Sequence, residues 1–101
     1  MRRAAKTDAN QGEIVQALRD VGCTVQSLAP VGDGVPDLLV GYRGVNLLLE
    51  VKDGNKPPSA RKLTPDQEKF HATWRGQKAV VTSREEALRA VGIPANDWMP
   101  R

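Results

Sequence analysis

The sequence predicts an α/β domain in which a mixed sheet is flanked by helices, in the order α-β-β-β-α-β-α. Three observations support this prediction. An apolar run over 36–42 and an alternating run over 45–52 predict a β-hairpin. Apolar residues at helical spacing predict helices before and after the hairpin, and the last strand follows a helix, which implies a helical crossover.

Length and composition fit one globular domain, 1–101, with a basic arm at 1–6 and an irregular tail at 93–101. The 101 residues are 40% hydrophobic and 27% charged. No apolar stretch has membrane-spanning length or follows the basic start as a signal peptide would, so we expect a cytoplasmic protein without a membrane partner. With a single cysteine and a single histidine, zinc sites built on several such ligands are excluded.

The net charge of +3 is compatible with a nucleic-acid partner. Positive charge concentrates in the N-terminal arm and in the loop that follows the hairpin. The basic residues concerned are Arg2, Arg3 and Lys6 in the arm, and Lys56, Arg61 and Lys62 in the loop. Phosphate contacts are a natural use for the loop residues, although the same pattern also fits an ordinary solvated loop.

The first helix is expected to begin at Thr7 or Asp8, because Asp8 and Gln11 have the spacing of a capping box. Apolar residues then recur at i, i+3, i+4 and i+7, and Gly22 ends the helix. Glu13 stands beside this stripe. It is either a solvated glutamate favoured by the helix dipole or part of a site.

The second helix has strong start signals, with Thr64 at the N-cap and Gln67 at the third helical position. One stripe of this helix, which we expect to pack on the sheet, consists of Gln67, Phe70, His71 and Trp74. Gln67 is either a capping partner or a site residue, and His71 is either an interior histidine or a site residue.

The remainder of the chain is expected to form a buried strand over 78–82 and a third helix. Ser83 and Glu86 have capping-box spacing, and Gly92 ends the helix. In the tail, Trp98 is expected to cover apolar surface within the chain or at a subunit contact.

The hairpin places charged residues at one end. With Arg43 and Gly44 as the central turn residues, Asp37 faces Glu50 across the two strands. Opposed side chains have Cβ atoms about 4.5–5.5 Å apart, so the two carboxylates repel, and a divalent cation would offset the repulsion. Lys52 lies on the same face as Glu50. The alternative is a salt-bridged strand edge with no ligand.

Pro36-Asp37 and Glu50-Val51-Lys52 resemble the motif of the PD-(D/E)XK nuclease superfamily. More narrowly, the chain resembles a stand-alone VRR-NUC domain, a nuclease module found in bacteria and their phages. Four segments carry this resemblance: Glu13, Gly34 to Leu38, Glu50 to Lys52, and Leu63 to Gln67. The Val-Arg-Arg string of the family name is absent; Arg84 falls near the equivalent place, and no role is carried onto it.

The resemblance implies the restriction-endonuclease-like core and a Mg²⁺-dependent endonuclease, with Mn²⁺ able to substitute. Asp37, Glu50 and the Val51 carbonyl would bind the metal, and Glu13 would reach it directly or through water. Lys52 would orient or deprotonate a water molecule and stabilise the charged transition state. Gln67 would position water or a phosphate.

The resemblance also suggests a substrate of branched DNA, either a four-way (Holliday) junction cut by a homodimer or a flap. The setting would be the cytoplasm of a bacterial cell or a phage-infected host. DNA contacts would come from the basic arm and loop: Arg2, Arg3, Lys56, Arg61 and Lys62. The competing interpretations are a catalytically silent DNA-binding module with the same fold, a duplex nuclease, and an α/β interaction domain.

Overall fold

The computed structural model describes residues 7–100 and confirms the predicted order α-β-β-β-α-β-α. The helices are α1 (Gln11–Asp20), α2 (Pro65–Thr73) and α3 (Arg84–Val91), and the strands are β1 (Thr24–Ser27), β2 (Leu38–Tyr42), β3 (Val45–Val51) and β4 (Lys78–Val81). Short 3-10 turns lie at Ala29–Val31, Pro58–Ala60 and Ala95–Asp97. None of the helices within 7–100 has the length and apolar character needed to cross a membrane.

The four strands form a mixed sheet in the order β1-β2-β3-β4. The first three run antiparallel, and β4 is parallel to β3. Tyr42 pairs with Val45, as the predicted hairpin turn requires. The backbone φ angles of Arg43 and Gly44 are 48° and 80°, and two positive φ angles are what a type I′ turn needs to match the strand twist.

One face of the sheet packs against α1 and α3 and forms the apolar core. The helices contribute Ile14 and Leu18 from α1, and Ala87 and Leu88 from α3. The strands contribute side chains that alternate with those of the opposite face: Leu38, Val40, Leu47, Leu49, Val51 and Val81. The tail closes one end of this core, since Trp98 packs against it and donates from Nε1 to the Ile93 carbonyl at 3.3 Å.

The start of α1 differs from the prediction. The N-cap is Asn10, with no capping side-chain hydrogen bond, and the Asp8–Gln11 capping box does not form. The Asp8 carboxylate lies 3.7 Å from Lys56 Nζ instead. The Asn10 amide donates to the carbonyls of Lys52 and Thr82, so a tertiary contact outweighs the local capping pattern.

The second predicted capping box forms only in part. Ser83 Oγ accepts from the Glu86 amide at 3.1 Å, but Glu86 Oε1 accepts from the amide and hydroxyl of Thr82. The prediction of a buried last strand is wrong as well: in β4 only Val81 is buried, and Val80 is 42% exposed. The reason is that β4 lies at the edge of the sheet and has a neighbouring strand on one side only.

The helix α2 lies over the opposite face of the sheet but does not bury any of its own residues. Gln67, Phe70 and His71 are half-buried, so this part of the predicted stripe faces the sheet. Trp74 is the C-cap and is exposed, which corrects the expectation that it packs on the sheet. The face beneath α2 therefore stays partly open.

Candidate active site

The open end of the β2–β3 hairpin brings together the acidic residues predicted there. The strand pairing ends at Leu38 opposite Leu49, the next residues beyond this pair are Asp37 and Glu50, and their carboxyl groups interact. Asp37 Oδ2 accepts a hydrogen bond of 2.7 Å from the Val51 amide, which ties the aspartate to the end of β3. Lys52, buried like Glu50, follows directly and keeps to the same side of the strand.

Glu50 is the most deeply buried charged residue of this cluster, with 2% of its surface exposed. Its Oε2 lies 3.8 Å from Lys52 Nζ. Burial is the largest cause that raises the pKa of Glu50, and the neighbouring Asp37 carboxylate raises it further, to about 8. Lys52 acts in the opposite direction without cancelling the shift.

Gln67 connects the start of α2 to this cluster. Its backbone amide donates to Thr64 Oγ1 at 3.3 Å and its Oε1 accepts from the Thr64 amide at 2.9 Å, which completes the predicted capping box. The same Oε1 accepts from Lys52 Nζ at 2.8 Å, and Nε2 donates to Glu50 Oε2 at 3.4 Å. Gln67 is thus a capping partner that also contacts the charged pair, and its role as a site residue stays a prediction.

Gly34 lets α2 approach closely enough for these contacts. Its φ is +79°, and a Cβ built on it would lie 2.3 Å from the Asp66 carbonyl oxygen. No side chain fits at that distance. The loop before β2 and the first turn of α2 therefore touch through their backbones, which sets the position of Gln67.

The cluster has the chemistry of a divalent-cation site. Glu50 Oε1 is buried and has no hydrogen-bond partner within the part of the chain that the structure describes. The Asp37 and Glu50 carboxylates meet there beside the Lys52 ammonium, and burial, followed by the Asp37 carboxylate, raises the pKa of Glu50. A hard cation would offset the repulsion between the two carboxylates, since Mg²⁺ is commonly held by one or two carboxylates and water.

Other ligands would have to complete such a site. Within residues 7–100, no group of three or more His, Cys, Asp and Glu side chains is arranged to hold a metal ion. Glu13 is 62% exposed, and its Oε1 lies 3.7 Å from Arg84 Nε. The structure thus gives Glu13 a different partner, and its role as a metal ligand, like that of the Val51 carbonyl, stays a prediction.

The predicted DNA-contacting residues lie in two regions. Lys56 and Lys62 are exposed on the loop that follows β3, and Arg61 is half-buried beside them. Arg2 and Arg3 lie outside the described residues. The loop thus presents basic groups directly after Lys52, as the sequence predicts.

Asn10 is a structural residue that the sequence did not reveal. Its Nδ2 lies 3.1 Å from the Lys52 carbonyl and 3.0 Å from the Thr82 carbonyl, joining the ends of β3 and β4 to the start of α1. The preference of helix starts for asparagine was a usable signal for the N-cap. Nothing in the spacing indicated where its amide would bind.

A mixed four-stranded sheet flanked by helices, with an acidic pair and a lysine at the open end of its hairpin, defines a small nuclease-like α/β domain. A solved structure described as a VRR_NUC domain shares 30% sequence identity with this chain and superposes with a TM-score of 0.61. The match covers 82% of this chain and 90% of that one. This chain belongs to the VRR-NUC family, a family of nucleases. No family model and no curated protein matches the chain.

Proposed function

We propose that this protein is a metal-dependent endonuclease that hydrolyses phosphodiester bonds in DNA. The observation that carries the proposal is the arrangement of Lys52. Its ammonium is held between Gln67 Oε1 at 2.8 Å and Glu50 Oε2 at 3.8 Å, beside the mutually repelling carboxylates of Asp37 and Glu50. A salt-bridged strand edge without a ligand would leave no buried carboxylate oxygen unpaired.

Asp37 and Glu50 would hold Mg²⁺, or Mn²⁺ in its place, with the Val51 carbonyl and Glu13 as further ligands. When bound, the cation supplies positive charge that stabilises the charge developing on the phosphate and lowers the pKa of water near it. The cation would also allow both carboxylates to stay ionised, because it offsets their mutual repulsion and the cost of burying Glu50.

Lys52 would act on the reacting groups directly. Its ammonium would orient or deprotonate the attacking water and stabilise the negative charge of the transition state. Gln67 holds Lys52 in this place and would itself position water or a phosphate. Preorganised charge of this kind is effective because it needs no rearrangement during the reaction.

The substrate we propose is branched DNA, such as a four-way junction or a flap. A chain of 101 residues has little surface for reading bases, so contacts to the DNA backbone from the basic loop would dominate. Paired cuts in a junction need two active sites, and each chain offers one. We therefore propose a C₂ homodimer.

The test is cleavage of a labelled four-way junction beside matched flap, duplex and single-stranded DNA, with Mg²⁺, Mn²⁺ or EDTA. We expect metal-dependent cleavage by the wild type and a loss of at least roughly 100-fold in Lys52→Ala. Lys69→Ala is the matched control, because it removes an exposed lysine outside the cluster. Asp37→Asn should lose Mg²⁺ binding in a calorimetric titration.

Each other outcome has a definite meaning. Full cleavage by a folded Lys52→Ala variant would remove the role assigned to the lysine. Tight DNA binding without cleavage under every metal condition would indicate a catalytically silent DNA-binding module. If Mg²⁺ changes neither cleavage nor the melting temperature, and DNA does not bind, the chain is an α/β interaction domain.

A further inference from the structure

An exposed aromatic stack lies at the C-terminal end of α2, outside the charged cluster. The rings of Phe70 and Trp74 are stacked, with centroids 5.1 Å apart and planes 14° from parallel. Phe70 is half-buried and stacks against the indole, whereas 46% of the Trp74 surface is exposed. A large aromatic side chain exposed in this way gains nothing for the apolar core.

The surrounding chain holds the indole in place. A Cβ built on Gly76 would lie 2.7 Å from Trp74 Nε1, so the glycine leaves room for the edge of the ring. Lys78 Nζ donates to the Trp74 carbonyl at 3.2 Å and sets a positive charge beside the stack. The ring is therefore positioned by its neighbours while much of its surface stays open.

His71 connects the aromatic stack with the candidate active site. Burial is the largest cause that lowers the pKa of His71, followed by the charges of Lys78 and then Lys52, so both ammonium groups act on one imidazole. Its Nε2 is buried without a hydrogen-bond partner among residues 7–100. Trp74 follows Gln67 by seven positions, which is roughly 10 Å along a helix, so a few nucleotides of one strand would span the distance from the cluster to the stack.

We propose that the Phe70–Trp74 stack binds an unpaired nucleobase of the strand whose phosphate lies at Lys52. Two properties favour this occupant. Stacking on an aromatic ring is open to every base, and positive charge at Lys78 and Lys52 suits the phosphates on either side of it. Bases within a duplex are already stacked on one another, so only an unpaired base is free to bind.

The inference rests on the proposed nuclease activity and narrows its substrate class. It predicts that the enzyme selects DNA with unpaired nucleotides beside the cut, as at a flap or an open junction, over continuous duplex. The base is recognised by stacking rather than by its edges, so the selection is for structure and not for sequence.

Binding is tested without cleavage, in EDTA, by the fluorescence of Trp74 in a Trp98→Phe background, where Trp74 is the remaining tryptophan. We expect quenching by short oligothymidine and little change with a blunt duplex of the same length. Trp74→Ala and Trp74→Phe lack this fluorophore, so their affinities are measured by the anisotropy of fluorescein-labelled oligothymidine. Trp74→Ala should weaken oligothymidine binding roughly 5- to 150-fold, the range that corresponds to losing one base–aromatic stack. Trp74→Phe should restore most of it.

Two further comparisons separate stacking from a merely structural role. Gly76→Ala keeps the tryptophan but would displace its ring, and it should lower oligothymidine affinity without lowering duplex affinity. An abasic nucleotide at the unpaired position should weaken wild-type binding by the same factor as Trp74→Ala. The variant and the abasic site combined should then show no further loss.

Wild-type oligothymidine affinity in Trp74→Ala, or equal quenching by duplex, would overturn the inference. So would a dimer in sedimentation experiments that Trp74→Ala dissociates while DNA affinity is unchanged, since a second copy would then cover the stack. If the wild type cleaves DNA but Trp74→Ala cleaves every substrate equally well, only this inference fails. If Trp74-dependent binding persists and nothing is cleaved with any metal, only the nuclease proposal fails.

Discussion

The two faces of the sheet are covered in different ways. Beneath α1 and α3, apolar side chains such as Leu18 and Leu49 are fully buried. Beneath α2 the helix buries none of its own residues, and it is held by the Gly34 backbone approach and the polar contacts of Gln67. The face covered by α1 and α3 therefore contributes most of the stability of the fold. The face covered by α2 carries the charged residues of the candidate site.

The largest loss of stability should come from truncating a side chain on the face that packs against α1 and α3. We expect Leu49→Ala to lower the free energy of unfolding by about 2–5 kcal/mol, because Leu49 is fully buried and its removal leaves a cavity. Leu48→Ala is the matched control, since its side chain lies on the opposite face of the same strand. It should cost at least about 1 kcal/mol less, because the more open face collapses around the truncation. If urea denaturation shows equal losses of unfolding free energy in Leu49→Ala and Leu48→Ala, the two faces do not differ in their contribution to stability.

Gly34→Ala tests how α2 is held. The positive φ alone costs a non-glycine residue about 1–2 kcal/mol, and the new Cβ would also collide with the Asp66 carbonyl. Gly44→Ala has a similar φ of +80° with nothing within 4 Å, so it isolates the conformational cost. We expect Gly34→Ala to be at least about 1 kcal/mol more destabilising, with faster hydrogen exchange confined to α2. Equal destabilisation would mean that the close approach does not hold the helix.

Glu50→Gln tests how the buried Glu50 carboxylate affects the stability of the fold. The pKa of Glu50 is raised from 4.5 to about 8, so the folded protein binds more protons than the unfolded chain between these values. Without metal, stability should therefore fall as the pH rises from about 4.5 to about 8. The loss should be at least about 1.4 kcal/mol, the equivalent of one pKa unit.

In Glu50→Gln this decline should flatten, whereas the exposed control Glu68→Gln should retain it. Thermal melts across the pH range with EDTA measure both. Mg²⁺ should restore stability at pH 8 in the wild type and in Glu68→Gln but not in Glu50→Gln. An unchanged decline in Glu50→Gln would assign the pH dependence to other groups.

Glu13→Gln should have the smallest effect. Glu13 is 62% exposed, so the free energy of unfolding should change by no more than about 0.5 kcal/mol, as for other surface substitutions. We also expect a smaller loss of Mg²⁺ affinity than in Asp37→Asn, because Glu13 contacts Arg84 rather than the carboxylate pair. Equal losses of Mg²⁺ affinity in calorimetry would make Glu13 a direct ligand.

Much of the fold follows from patterns that are local in the sequence. The hairpin turn at Arg43 and Gly44 fixes the register as far as Leu38 opposite Leu49, and Asp37 and Glu50 are the next residues beyond that pair. The capping box of α2 was equally visible, because Thr64 and Gln67 are only three residues apart. These features depend on neighbouring residues, so periodicity and turn chemistry were sufficient to predict them.

The errors lie where a distant group competes with a local one. The Asn10 amide donates to two carbonyls just beyond the ends of β3 and β4, and Glu86 accepts from Thr82 instead of closing its own capping box. The exposure of Val80 depends on which strand lies at the edge of the sheet, and that is a property of the whole topology. Helical spacing placed Trp74 on the inner stripe, but the helix ends one residue too early to bury it.

The side-chain amide of Gln67 contacts both the start of α2 and the charged cluster, and these contacts limit which residue types can replace Gln67. A capping box tolerates glutamate as well as glutamine, so the start of α2 alone would permit either. A glutamate here would add a third carboxylate beside Glu50 and take away the donor that Glu50 Oε2 now has. The capping box at the start of α2 accepts glutamine or glutamate, and the charged cluster favours a neutral side chain. Glutamine satisfies both requirements at position 67.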